Sequence, residues 1–226
     1  MRKILNIAHR GASGYKKENT IESFEEAVNL GADFIELDIQ KTKDNQIVVF
    51  HDTRLDEGER VSELEFSYLK DRLLNKGIDL PLLEDVLSQF NHRIGINIEI
   101  KSFGIVDLLK EKLKVYNTEN IIVSSFIHPV LKELKIKLPY LKLGMLVSAY
   151  LIDPLNVLNT VGTDLIIQNF EFVDKRYVDL LHSNNKKIFV WTVNEEKDME
   201  FILDMGVEGI ITDYPSRLKR LLGKIL

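Results

Sequence analysis

Two histidines in this sequence each follow a short apolar stretch and precede another ionisable residue. His9 is followed by Arg10, and His51 is followed by Asp52. Histidine titrates near neutral pH, so a pair of histidines can act as general base and general acid in one reaction. The remaining histidines have no charged cluster around them and are predicted to be structural or exposed; they are His92, His128 and His182.

Two predicted strands carry ionisable residues that alternate with isoleucines. The first contains Glu36 and Asp38, and the second contains Glu99 and Lys101. Because side chains alternate between the two faces of a strand, the ionisable residues of each strand share one face. In an open antiparallel sheet this alternation would mean only that one face is dry and the other is wet. In a closed barrel both faces are covered, and the carboxylates would point into the barrel.

The three carboxylates of Glu36, Asp38 and Glu99 would repel one another and would be costly to bury in ionised form. Lys101 and Arg10 would offset part of this charge, and a divalent cation would offset more. The sequence has no cysteine, so a metal must be held by oxygen or imidazole. An oxygen-only set suits Mg²⁺ or Ca²⁺. A network of internal salt bridges is the alternative, and strand geometry alone does not separate the two.

A cation, two histidines, an arginine and a lysine together suit phosphoryl chemistry. The cation and Arg10 could hold the non-bridging oxygens, where charge must be stabilised in the transition state. One histidine could deprotonate the nucleophile, and the other could protonate the departing alcohol. The sequence contains neither a glycine-rich phosphate loop ending in Lys-Ser/Thr nor a G-x-S-x-G motif, so neither an NTPase nor a serine hydrolase of that type is indicated.

The elements that must position these residues alternate between strand and helix patterns. Eight strands are predicted, at residues 4–8, 33–41, 93–101, 120–126, 142–147, 164–168, 187–193 and 209–212. Strands that alternate with helices indicate a parallel sheet. Eight of them in 226 residues favour a closed (β/α)8 TIM barrel of the α/β class, which typically has about 250 residues and its active site at the carboxyl ends of the strands. A doubly wound open sheet is the alternative.

The barrel is predicted to form a single domain over residues 1–226. Its first helix is predicted at residues 20–30, with Asn19 as N-cap because Glu22 stands three residues later. Residues 46–50, which precede His51, are predicted to extend the second strand or to pair with it.

The composition limits the function further. Apolar residues make up 45% of the chain, enough for a full core, and a net charge of −5 does not provide the basic surface that nucleic acids need. No apolar run approaches the roughly 20 residues of a membrane span, and the apolar residues before His9 are too few for a signal peptide. A cytoplasmic protein with no nucleic-acid partner and no stable membrane insertion is predicted, and its oligomeric state is left open.

Seven short motifs spread over nearly the whole chain carry a family resemblance. They are HRG at 9–11, ENT at 18–20, ELD at 36–38, HD at 51–52, IEIK at 98–101, WTVN at 191–194 and ITDYP at 211–215. In these motifs and in their order the chain resembles the glycerophosphodiester phosphodiesterases.

The resemblance implies a TIM barrel that hydrolyses glycerophosphodiesters, which are deacylated phospholipids, to an alcohol and sn-glycerol 3-phosphate with the help of a divalent cation, Mg²⁺ or Ca²⁺. It assigns the acid–base pair to His9 and His51. It assigns the cation to Glu36, Asp38 and Glu99. The phosphate and the pocket are assigned to Arg10, Lys101 and Trp191, although Trp191 also suits a barrel core. Glu18 and Asn19 would orient the site, and a helix cap explains Asn19 equally well.

The chain also departs from the family pattern. Lys17 stands where a proline usually precedes ENT, and residues 53–65 are short and charged where many members carry a Thr- and Gly-rich stretch. In the family this region shapes the substrate pocket, so the headgroup preference is open. Two alternatives to a soluble-diester hydrolase are a phospholipase D-like relative that acts on lysophospholipids at membranes, which the basic amphipathic residues 216–226 could favour, and a non-catalytic barrel.

Overall fold

The computed structural model describes the backbone of residues 4–225 and the side chains of residues 4–223. Its strands are β1 (Leu5–Ala8), β2 (Phe34–Lys41), β3 (Ile47–Val49), β4 (Gly95–Ile100), β5 (Ile121–Ser125), β6 (Lys142–Val147), β7 (Leu165–Asn169), β8 (Lys187–Trp191) and β9 (Gly209–Thr212). All but β3 are parallel to their neighbours, in the order β1-β9-β8-β7-β6-β5-β4-β2.

The sheet closes on itself because β1 pairs with both β9 and β2. Ile7 lies opposite Ile211 on one side and opposite Phe34 on the other. Eight parallel strands therefore form a closed barrel, and the predicted (β/α)8 TIM barrel is confirmed. The upper half of β2 pairs with β3 in antiparallel fashion, with Ile39 opposite Val49, so residues 46–50 pair with the second strand rather than extend it.

Among the described residues, a helix follows every strand except β2, and two helices follow β3. They are α1 (Ile21–Asn29), α2 (Phe66–Leu74), α3 (Leu83–Phe90), α4 (Val106–Leu113), α5 (His128–Lys137), α6 (Pro154–Val161), α7 (Lys175–Ser183), α8 (Glu196–Met205) and α9 (Pro215–Ile225), with short 3₁₀ turns at Val61–Glu63 and Phe170–Phe172. The predicted cap of the first helix is wrong. Thr20 is the N-cap of α1, and it forms a capping box with Ser23 rather than with Glu22.

The two faces of the barrel sheet bury different side chains. The isoleucines of β2 and β4, such as Ile35 and Ile98, belong to the core between the strands and the helices. A second, smaller core fills the barrel interior and includes Ile7, Phe189 and Ile211. Phe34 packs against this inner core, and because side chains alternate, Glu36 and Asp38 on the same strand also face inward, as predicted.

A third apolar cluster lies outside the barrel, under the connection between β2 and α3. It is formed by Val48, Leu55, Val61, Leu69, Leu73 and Leu80. We call residues 47–82, which include β3 and α2, the cap. Ion pairs on its surface join its loop to α2 and to the turn that follows α2, with Arg72 at 2.5 Å from Glu57 and Lys76 at 2.8 Å from Asp56.

The last helix packs on the barrel. Leu218 and Leu221 of α9 are buried in the outer core, Arg217 lies 3.7 Å from Glu195, and Arg220 pairs with Glu196. These apolar and basic residues of α9 are thus engaged within the fold.

Within residues 4–225, no helix combines the length and the apolar character that crossing a bilayer requires. The cytoplasmic location stays a prediction.

Candidate active site

Strands β2 and β4 bring three carboxylates together at the carboxyl end of the barrel. Asp38 lies opposite Glu99 in the strand register, and Glu36 lies one residue pair earlier on the same inward face. One oxygen from each carboxylate falls within 4.8 Å of the others. All three side chains are buried, with Glu36 and Asp38 at most 2% exposed. The predicted cluster therefore exists as a compact buried group.

Two cations lie against this cluster and balance part of its charge. Lys101 Nζ lies 3.0 Å from Asp38 Oδ1 and also pairs with Glu99. Arg10 Nε lies 3.2 Å from Asp38 Oδ2. The internal salt bridges considered from the sequence are thus present, but two cations face three carboxylates, and neither cation forms an ion pair with Glu36.

The carboxyl groups of the cluster differ in how readily they ionise. Burial raises the pKa of Glu36 well above its usual range, and the charges of Asp38 and Glu99 add to the effect. Burial also raises the pKa of Glu99 to about 7, although the charge of Lys101 opposes it. For Asp38, burial acts in the same direction, but Lys101 and Arg10 outweigh it and lower the pKa. Asp38 is therefore the carboxylate that the protein's own cations hold ionised.

The donor set of this cluster fits a hard divalent cation. Glu36 Oε1 is buried and has no hydrogen-bond partner among the described residues, and leaving such an oxygen without a partner is costly. The other candidate ligands are carboxylate oxygens too, which is the ligand type that Mg²⁺ and Ca²⁺ prefer. A cation held by Glu36, Asp38 and Glu99 would satisfy this oxygen and the uncompensated charge.

The turn after β1 lies directly over the cluster because of two residues with positive φ. Arg10 has φ +53° and Gly11 has φ +80°. A Cβ at Gly11 would lie 2.6 Å from the backbone carbon of Ser23, so only glycine fits there. Arg10 holds its left-handed conformation through both backbone groups: its N–H donates to Glu36 Oε2 at 2.8 Å, and its carbonyl accepts from the backbone N–H of Asn19 at 3.0 Å.

Asn19 belongs to the site. Its side-chain amide donates to Asp38 Oδ2 at 2.8 Å, and its oxygen accepts from the backbone N–H of Asp38 at 3.2 Å. It has φ +57°, a conformation that asparagine tolerates better than most residues. Glu18, one residue earlier, accepts from Arg10 Nη1 at 2.9 Å. The orienting role that the resemblance implied for these two residues fits their contacts, with Asn19 on Asp38 and Glu18 on Arg10.

His9 stands at the end of β1 and is held by a residue that the sequence did not single out. Its Nδ1 donates to Asp213 Oδ1 at 2.6 Å. Asp213 is itself fixed by Ser13 Oγ at 2.8 Å and by Asn194 Nδ2 at 2.6 Å. Burial would raise the pKa of Asp213, but the hydrogen bond and charge of His9, with help from Ser13 and Asn194, lower it to about 2.

His51 follows β3 and is also paired with a carboxylate. Its Nδ1 donates to Asp52 Oδ1 at 2.8 Å, in a more exposed setting than that of His9. The buried amide of Gln40, two residues after Asp38 on β2, holds this loop. Its Nε2 lies within hydrogen-bond distance of the carbonyls of Phe50, His51 and Asp52, at 3.1, 3.1 and 2.6 Å.

Trp191 is the last residue of β8 and lies where the inner core of the barrel meets its open end. Its Nε1 donates to the carbonyl of Ile167 at 3.0 Å, and its ring packs against the inner core. The ring also meets Phe126 edge to face, with 5.4 Å between centroids, and Lys101 Nζ lies 5.8 Å above the Phe126 ring. Trp191 therefore serves as a barrel-core aromatic and also reaches the surroundings of Lys101.

Each of the remaining histidines either contacts a group outside the site or has no side-chain partner among the described residues. His128 lies 2.9 Å from the carbonyl of Leu146, and His182 lies 3.0 Å from Glu208, whose backbone N–H and carbonyl bond to neighbouring barrel strands. His92 is exposed. The eight predicted site residues, in contrast, lie on the inward face of β2, near the carboxyl ends of β1, β4 and β8, or in the loop after β3.

Comparisons with known proteins agree with this geometry. The model of the glycerophosphoryl diester phosphodiesterase family matches residues 9–217. A glycerophosphodiester phosphodiesterase of Caldanaerobacter subterraneus subsp. tengcongensis is 36% identical over 241 aligned positions, covering 98% of this chain and 99% of that protein. A lysophospholipase D of Rattus norvegicus is 27% identical, covering 97% of this chain and 86% of that protein.

Among solved structures, a phosphodiesterase of Oleispira antarctica superposes with a TM-score of 0.86 at 25% identity, covering 96% of each chain. That protein was solved in complex with its product, sn-glycerol-3-phosphate. Sequence, fold and the inward carboxylates thus agree with one another. The chain belongs to the glycerophosphoryl diester phosphodiesterase family and is a phosphodiester hydrolase.

Proposed function

We propose that this enzyme uses a divalent cation, Mg²⁺ or Ca²⁺, to hydrolyse glycerophosphodiesters to an alcohol and sn-glycerol 3-phosphate. The observation that carries the proposal is the buried triad of Glu36, Asp38 and Glu99 beside two histidines that each donate Nδ1 to a carboxylate. The product found in the Oleispira antarctica enzyme supports the same substrate class.

Glu36, Asp38 and Glu99 would hold the cation. When bound, it supplies Lewis-acid stabilisation of the negative charge that grows on the phosphoryl oxygens. Arg10 and Lys101 lie against the same carboxylates, which supports their proposed role of contacting the other phosphate oxygens. Trp191 lines the mouth next to Lys101 through its contact with Phe126.

His9 and His51 form the proposed acid–base pair. Since Nδ1 of each ring donates to an aspartate, Nε2 is the nitrogen left to exchange a proton with the substrate. One ring takes the proton of the attacking hydroxyl as its oxygen bonds to phosphorus. The other ring gives a proton to the alcohol oxygen as its bond to phosphorus breaks, so that proton and charge balance.

The test is turnover of glycerophosphocholine with Mg²⁺ or Ca²⁺. The wild type should release choline and glycerol 3-phosphate, chelation should abolish this reversibly, and His9→Ala and His51→Ala should each lower kcat by roughly 100-fold or more while the thermal midpoint stays near that of the wild type. His92→Ala, at an exposed position, is the control and should retain full activity. Undiminished activity in either site variant would refute the assignment of that histidine.

One observation favours lysophospholipids as a second substrate class. Four neighbouring loops, after β4, β5, β6 and β7, expose large apolar side chains at the mouth; these are Phe103, Phe126, Tyr150, Ile152 and Phe172. An apolar rim of this kind suits a substrate that keeps an acyl chain, and the rat relative is named as a lysophospholipase D. Assaying lysophosphatidylcholine beside glycerophosphocholine compares the two classes directly, and choline release from only one of them decides between them.

A further inference from the structure

A cavity of about 220 Å³ lies between the cap and the segment that precedes α1. We call it the cap pocket. His51 and Asn19 line it, so the pocket adjoins the site on the side of one proposed catalytic histidine. Its floor is apolar and is formed by Val49, Phe50, Leu55, Leu73 and Ile78.

The three carboxylates that line the cap pocket each have a cationic or imidazole partner. Glu18 lies 2.9 Å from Arg10, Asp52 lies 2.8 Å from His51, and Asp56 lies 2.8 Å from Lys76. Glu18 and Asp56 are thus each paired with a cation, and Asp52 with an imidazole.

Two cations of the same lining have no carboxylate partner among the described residues. Lys17 is exposed and its side chain forms no hydrogen bond or ion pair. The guanidinium of Arg54 donates only to the carbonyl of Gly58, at 2.7 Å. The lining therefore holds as many carboxylates as cations, but Lys17 and Arg54 are the two charged side chains in it that no opposite charge holds.

On the basis of the proposed function, we infer that the cap pocket receives the alcohol part of the diester and that Lys17 and Arg54 select alcohols bearing an anionic group, such as a carboxylate. A small organic headgroup covers the apolar floor, while its carboxylate meets the two free cations. A headgroup with only an ammonium group meets them with repulsion. Exposed charge pairs of this kind are each worth roughly a two- to fivefold change in binding, so two of them together give a preference of roughly four- to 25-fold.

Glycerophosphoserine and glycerophosphoethanolamine test this inference because they differ by one carboxylate. We expect kcat/KM of the wild type to be roughly four- to 25-fold higher for glycerophosphoserine at low salt, and the ratio to shrink at about 0.5 M salt, where exposed charges are screened. In the double variant Lys17→Ala/Arg54→Ala the ratio should fall to about one. Lys17→Glu sets a carboxylate beside the remaining Arg54, so the repulsion of one offsets the attraction of the other and the ratio should also fall to about one.

Lys132→Ala is the matched control, since Lys132 is an exposed lysine on α5, outside the cap pocket; its ratio should equal that of the wild type. A wild-type ratio of one or below, or a ratio that Lys17→Glu leaves unchanged, would overturn the inference while the enzyme still turns over both diesters. If the enzyme turned over neither diester, the proposed function on which the inference rests would be overturned instead.

Discussion

Replacing Asp213 by asparagine should cost this enzyme most of its activity, because of the hydrogen bonds on either side of that carboxylate. Asp213 accepts from His9 Nδ1 through one oxygen and from Asn194 Nδ2 through the other. The amide of Asn194 cannot turn freely, since its oxygen accepts from the backbone N–H of Asp213 and from Thr212 Oγ1.

An asparagine at position 213 must therefore direct its NH₂ group either at Asn194 Nδ2 or at His9 Nδ1. The first orientation sets two donors against each other. The second favours the His9 tautomer with its proton on Nε2, which removes the lone pair proposed to act in catalysis. Wrong-tautomer changes of this kind cost up to about 10⁴-fold in kcat in serine proteases, and we expect a loss of roughly 10²- to 10⁴-fold with little change in KM.

The same change has a measurable effect on stability. The pKa of Asp213 is lowered from 3.8 to about 2, and at about 1.4 kcal/mol per unit this corresponds to roughly 2 kcal/mol. Because the folded-state pKa is the lower one, this stabilisation is complete above about pH 4 and is lost as the pH falls towards 2. The asparagine variant should be less stable at pH 7, and its deficit should shrink in acid.

Urea unfolding between pH 7 and 3, with turnover of glycerophosphocholine at pH 7, measures both effects. Asp52→Asn is the matched control, because Asp52 contacts His51 at a side chain that is 65% exposed, where water can take over the hydrogen bond; its loss should stay below about tenfold. A similar loss in both variants, or an Asp213→Asn deficit that is constant with pH, would refute the reasoning.

Two further substitutions probe the cluster and the loop that surround the site. Glu36→Gln keeps an acceptor for the Arg10 N–H but removes a buried charge, so we expect divalent-cation affinity in titration calorimetry to fall roughly 100-fold while the metal-free protein unfolds no more easily; unchanged affinity would remove Glu36 from the proposed ligand set. Gln40→Leu removes the donor to the carbonyls around His51. It should lower the free energy of unfolding by about 2 kcal/mol and kcat by about tenfold. Gln168→Leu removes only the donor to the Ala149 carbonyl on another loop. It should lower the free energy of unfolding by a similar amount and leave kcat nearly unchanged. Equal losses of kcat in the two variants would contradict the positioning role of Gln40.

Much of the site could be predicted from the alternation of apolar and ionisable residues along individual strands. The alternation around Glu36 and Glu99 determines their shared face once the barrel is closed, and closure follows from eight strand patterns in one short chain. The confirmed barrel and family thus depend on information that is local to each segment or on motifs of a few residues.

Contacts between distant segments could not be predicted in this way. Asp213 meets His9 across 204 positions of sequence, and no local pattern marks it beyond its place after the last strand in the ITDYP motif. Asn19 illustrates a different difficulty. Its spacing to Glu22 suits a helix N-cap as well as a site residue. Only the contact of its side chain with Asp38 shows that Asn19 belongs to the site and that Thr20 is the N-cap of α1.

The division of β2 has a consequence for how this enzyme could be diversified. Its first residues pair with β1 and close the barrel, and its last three residues pair with β3, while the strand from Phe34 to Ile39 stays paired with β4. One continuous strand therefore carries both the inward carboxylates and Gln40, which holds the His51 loop. Residues 53–80 follow that loop and contribute most of the third apolar cluster. Changes in the length or side chains of residues 53–80 would alter the cap pocket, and with it the alcohol proposed to bind there, without changing the strand that carries Glu36 and Asp38.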